Sequence, residues 1–134
     1  MSIHRVEIEV LKKRSLRFLE EAKFALERKS YDVACFLAEQ PLQLYLKSVL
    51  LEIVGDYPRT HSIRRLLGEL VKVLKSSELE GFIRENRVRL SALEDAYLMA
   101  RYFVKEYSGE DAEDMVELVR ETISVVDKAV GKKK

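Results

Sequence analysis

The sequence predicts an all-α fold, an up-and-down antiparallel bundle of about five helices making one domain over residues 1–134. Three observations carry this. Apolar residues recur at three- and four-residue spacing almost throughout, as in Ile63, Leu66, Leu67, Leu70, Val73 and Leu74. The period-two alternation of a half-buried strand is absent. The segments between the periodic runs are short, which places sequential long helices antiparallel.

Each element follows from local signals. A first helix over about Arg5 to Glu27 is marked by Val6, Val10, Leu11, Leu16 and Leu19 and ends near Arg28-Lys29, cations where the helix dipole favours them. A second runs from about Tyr31 to Val54, with Ser30 as N-cap and Gly55 as stop. Its apolar residues cover most of its circumference, which makes it the central helix, and Pro41 removes a backbone donor and should kink it. Its one polar stripe, Gln40, Gln43 and Lys47, either faces water or lines a cleft or a dimer seam.

The turn Asp56-Tyr57-Pro58-Arg59 leads to a third helix, capped by Thr60 or Ser62 and lasting to about Lys75. After Ser76-Ser77 a fourth helical region continues to about Lys105, with a possible break at Asn86-Arg87. A fifth spans about Glu110 to Val130, where Ser108 and Asp111 have capping-box spacing.

Composition narrows the class. With 47% hydrophobic and 35% charged residues, a chain of 134 residues supports a packed core under a charged surface. The single cysteine, Cys35, lies in an apolar run, cannot form an internal disulfide and fits a reducing, cytoplasmic setting. The charged start lacks the apolar stretch of a signal peptide, and no segment is apolar enough to span a membrane. Abundant Lys, Glu and Arg beside scarce Asn and Gln point toward a thermophilic source. The net charge of +1 is unevenly spread, basic between Arg59 and Arg89 and acidic at Glu110-Asp111-Ala112-Glu113-Asp114. That basic stretch is either solvated surface or a surface for a phosphate-bearing partner.

The glycine-rich phosphate loop, the paired histidines of a zinc site and the serine elbow are absent, and no cofactor is expected. Two histidines, His4 and His61, leave triad or metal chemistry short of bases and ligands. His61 is the better placed: at a helix start it serves as a cap or packing residue, or keeps a nitrogen free as acceptor or base. Two clusters remain. Around Arg59, His61 and Arg64, cations meet the N–H groups of a helix start, a physical recipe for holding an anion. In the fourth helical region Glu94, Tyr97 and Arg101 share one face, with Asp95, Met99 and Tyr102 on the adjacent one. Arg101 either pairs with a carboxylate or grips a phosphate while the tyrosines stack on a base.

Taken in order, the run from Ala34 to Lys47 containing Glu39-Gln40-Pro41-Leu42-Gln43, then Arg59-Thr60-His61-Ser62, then Asp95-Ala96-Tyr97 with Arg101-Tyr102, resembles the HEPN family of helical domains over nearly the whole chain. The resemblance implies a bundle of about five helices, a homodimer, and a minimal nucleotidyltransferase as partner in a toxin–antitoxin-like pair. Many members resemble metal-independent ribonucleases with an Arg followed after four to six residues by a His. Here the positions counted from Arg101 hold Glu106, Tyr107 and Ser108. Metal-free RNA cleavage needs a group near neutral pKa to move the 2′-hydroxyl proton, so the expectation is a non-catalytic module. Its cleft, lined by Lys47, Arg59, His61, Arg64, Asp95, Tyr97, Arg101 and Tyr102, would accept a nucleotide or RNA. The alternatives are a ribonuclease with an atypical base and a structural bundle with no ligand.

Overall fold

The computed structural model describes residues 3–102 and 106–133, and within these the side chains of 4–99 and 106–132. Six helices are described: α1 (Ile3–Glu27), α2 (Tyr31–Ile53), α3 (Ile63–Leu74), α4 (Ser77–Glu85), α5 (Arg87–Tyr102) and α6 (Gly109–Lys133). There is no strand among the described residues. The expected five helices become six because the fourth helical region divides at Asn86, which caps α4 and whose side-chain amide donates to the Phe82 carbonyl at 2.9 Å. Side-chain competition for backbone partners is why Asn ends helices.

Local chemistry accounts for the boundaries. Ser62 caps α3 by accepting from the Arg65 N–H at 3.2 Å, and Ser76 caps α4 by accepting from Leu79 at 3.1 Å. Before α6, Ser108 and Asp111 exchange side-chain and backbone bonds, each 3.1 Å, closing the capping box. Ser30 stands at the N-cap of α2 without a side-chain cap bond. Between α1 and α2 the Ser30 N–H reaches the Ala25 carbonyl at 2.8 Å and the Lys29 N–H the Leu26 carbonyl at 3.0 Å. This is a Schellman stop, with Lys29 at φ 63° in the left-handed region usually given to glycine.

The core is organised around α2, which packs on α1, α3, α5 and α6. Leu42, Leu46, Val49 and Leu50 meet Leu66, Leu67 and Leu70 of α3, Leu90 and Leu93 of α5, and Leu118 and Val119 of α6 in one cluster. The helix continues through Pro41, whose carbonyl accepts from the buried Ser15 hydroxyl of α1 at 2.6 Å. Tyr45 donates its hydroxyl to Asp127 of α6, while Arg89 of α5 lies 2.8 Å from Asp114 and 3.3 Å from Glu121 of α6. No helix among the described residues is long and apolar enough to cross a membrane.

Candidate functional site

The polar residues of α2 do not form a plain solvent face. Gln43 is 4% exposed and Glu39, one turn earlier, only 1%, in a helix otherwise packed with apolar side chains. A buried carboxylate is costly unless its oxygens are bonded. Here the Gln40 amide donates to Glu39 Oε2 at 2.8 Å and the Gln43 amide to Glu39 Oε1 at 2.6 Å. Burial nevertheless pushes the Glu39 carboxyl above its ordinary range. The nearby Glu94 adds to the rise, while the two glutamines and Lys47 oppose it.

The other end of the Gln43 amide faces two basic side chains. Lys47, one turn further along α2, donates from Nζ to Gln43 Oε1 at 3.0 Å, and His61 Nδ1, from the loop before α3, lies 3.3 Å from the same oxygen. Because that oxygen only accepts, the contact is a hydrogen bond only when Nδ1 carries the proton. The His61 ring stacks at 6.5 Å on Tyr97 of α5, which stacks in turn on Phe36 of α2 at 5.5 Å. Tyr57 extends the group. Its ring lies beneath Arg59 at 4.6 Å and Lys47 at 5.6 Å, and its hydroxyl donates to Glu7 of α1 at 3.3 Å. Burial lowers the Lys47 ammonium pKa and Arg59 lowers it further, against the pull of Glu39. No carboxylate among the described residues lies within ion-pair distance of Lys47.

Lys47, Arg59, His61 and Tyr97, four of the residues chosen from sequence, are thus brought together on the face where α2, the α2–α3 loop and α5 meet. Arg64 lies beside them but is engaged: Glu94 accepts from its backbone N–H at 2.8 Å, from its guanidinium at 3.2 Å and from the Ser62 hydroxyl at 3.1 Å. Asp95 does not join the group. It is exposed on α5, and its charge acts on Tyr107 together with Asp32 and Asp111. Arg101 and Tyr102 end α5, and their side chains lie outside the described residues.

Sequence reasoning did not single out Glu39 or Tyr57. A carboxylate inside the apolar run from Val33 to Leu51 was the available signal for the first. Nothing local marks Tyr57 as a platform for two cations. Among the described residues no three His, Cys, Asp or Glu side chains cluster as a metal site requires. The arrangement offers two cations, one imidazole whose Nε2 makes no hydrogen bond among the described residues, and aromatic rings, a combination suited to a phosphate carrying a planar group.

Comparison with known proteins agrees with this architecture. The family model for the HEPN domain matches residues 8–129. Among solved structures, the crystal structure of ST0689, an archaeal HEPN homologue, is similar with a TM-score of 0.67 and 26% sequence identity, covering 90% of this chain and 95% of that one. No curated protein matches the chain.

Proposed function

The chain belongs to the HEPN domain family, and from that premise we propose that it is a non-catalytic nucleotide- or RNA-binding module. Its binding face is the cluster of Lys47, Arg59, His61 and Tyr97. The observation that carries the reading is the shared acceptor: Gln43 Oε1 holds Lys47 Nζ and His61 Nδ1 at 3.0 and 3.3 Å, so two basic heads from distant stretches of chain border one place. Preorganised cations avoid part of the ordering cost of binding and supply charge-assisted bonds to phosphate, while Tyr97, stacked between Phe36 and His61, helps hold the imidazole beside them.

The absence of catalysis follows from chemistry. Where the family pattern would place a histidine stand Glu106, Tyr107 and Ser108. Burial and the neighbouring acidic groups raise the Tyr107 hydroxyl pKa, so it keeps its proton at neutral pH and does not act as a base. The reading includes a homodimer and a minimal nucleotidyltransferase partner; sedimentation of the purified chain and co-purification with a co-expressed nucleotidyltransferase test those two parts.

Calorimetric titration with a panel of nucleotides and short single-stranded RNA tests the binding. Lys47→Ala is expected to weaken association by about 1.5–3 kcal/mol, the worth of a charge-assisted contact. Unchanged affinity would remove Lys47 from the site. One observation favours a second reading, metal-independent ribonuclease activity: the Gln43 contact aims His61 beside a cation and leaves Nε2 as an acceptor. RNA that stays intact with chelator present, and no difference on His61→Ala, would exclude it.

A further inference from the structure

The carboxylate, amide and basic heads form a chain whose direction is set at its buried end. Both Glu39 oxygens accept from side-chain amides, the pattern of an ionised carboxylate, which offers acceptors only. Gln43 can therefore turn only its NH₂ toward Glu39, and its carbonyl oxygen must face the other way. That oxygen has two lone pairs, and two groups lie against it, Lys47 Nζ at 3.0 Å and His61 Nδ1 at 3.3 Å, so the second lone pair is used when Nδ1 carries the proton. A flipped Gln43 amide would put its NH₂ against the Lys47 ammonium and would let it donate to an unprotonated His61 Nδ1. The orientation of a half-exposed cation and an exposed histidine is thus decided by a carboxylate that itself touches no solvent.

We infer that Glu39 is a positioning residue of the binding face: acting through Gln43, it holds Lys47 in place and fixes His61 as the Nδ1–H tautomer, with the Nε2 lone pair presented outward. This rests on the reading above that the face takes a phosphate. Its consequence is a mixed pair, one ammonium that donates beside one neutral imidazole nitrogen that accepts. Such a pair suits an anionic group with an adjacent hydroxyl or N–H donor, as a nucleotide offers, better than a bare anion.

The tautomer can be read without any ligand. The full chain carrying His4→Asn has a single imidazole, and long-range proton–nitrogen correlation NMR at about pH 8.5, where an ordinary imidazole is neutral, reports which nitrogen is protonated. The expected result is Nδ1–H for His61, with Glu39→Gln releasing the ring toward the Nε2–H form, because a glutamine at this position accepts either orientation of Gln43. Wild-type His61 protonated on Nε2, or a Glu39→Gln spectrum identical to wild type, overturns the assignment. If Glu39→Gln does not fold, as judged by far-UV circular dichroism, Gln43→Met takes its place; retention of Nδ1–H there overturns the assignment equally. In titrations with a nucleotide, Glu39→Gln should bind about three- to tenfold more weakly, the worth of one net hydrogen bond. A wild-type chain that shows Nδ1–H and binds no nucleotide supports the positioning role and defeats the functional reading, so the two fail separately.

Discussion

Glu39 is nearly free of solvent contact and, among the described residues, is linked by hydrogen bonds to a positive charge through Gln43. Two amide donors satisfy its oxygens, but burial dominates and its folded pKa lies above the ordinary 4.5. A carboxyl whose folded pKa is raised binds its proton more tightly in the native state than in the unfolded chain. Its contribution to stability is full below the unfolded pKa and is lost as pH rises through the folded value. Glu39→Gln, which keeps the shape, removes the buried charge and exchanges one acceptor for a donor that a turned Gln43 can meet, should therefore raise the melting temperature at neutral pH, with the gain shrinking as pH falls toward 4.5. Thermal unfolding of both proteins across that range checks this, and a constant difference at every pH would show that burial of the charge is not the cause. The same residue stabilises less as a carboxylate than as an amide while orienting the cationic face, a cost of the kind found where a site is preorganised.

At the scale of the element, the helices end where local chemistry says they should, except that Lys29 after α1 and Lys75 after α3 take left-handed positions usually given to glycine. The Schellman stop between α1 and α2 needs a left-handed residue and uses Lys29, at φ 63°. A side chain there crowds the backbone, whereas glycine adopts this conformation without steric cost. Lys29→Gly should stabilise the protein by about 0.5–1 kcal/mol, the relief of left-handed strain outweighing the added freedom of the unfolded chain. Urea unfolding checks the sign, and a loss of stability would mean that chain freedom dominates. In α2 the polar residues Glu39, Gln43 and Lys47 recur at four-residue spacing and so stack along one stripe. Because the stripe runs from full burial to half-exposure, one helix carries both the buried carboxylate and the half-exposed cation.

For the whole molecule, α2 is the shared wall of the bundle, in contact with four other helices. Leu46 at its centre is fully buried in the main cluster. Leu46→Ala should lower stability by about 2–5 kcal/mol through lost burial and the cavity left behind. Chemical denaturation measures that loss, and a cost below about 1 kcal/mol would show that neighbouring helices collapse into the space. The arrangement also explains why the cationic and aromatic cluster forms there. The α2–α3 loop returns over α2, and α5 runs alongside, so Arg59, His61 and Tyr97 arrive from separate segments against one helix.

Much of the fold was legible in the sequence, because its determinants are local. Helical spacing marked every long helix, the Ser108–Asp111 pair marked its cap, the cap of α3 was narrowed to Thr60 or Ser62, of which the structure uses Ser62, and the all-round apolar character of α2 marked the centre. Of the candidate site, the identities of Lys47, Arg59, His61 and Tyr97 were legible as cations and rings in a resembling pattern, but their partners were not. That Gln43 is buried and shared by Lys47 and His61, that Glu94 engages Arg64, and that Asp95 stays exposed outside the group depend on how the helices rotate against one another. Residue spacing determines which side chains share a helix face. Only packing in three dimensions decides what that face meets, because a hydrogen bond between segments 18 or 30 residues apart leaves no periodic trace in the chain.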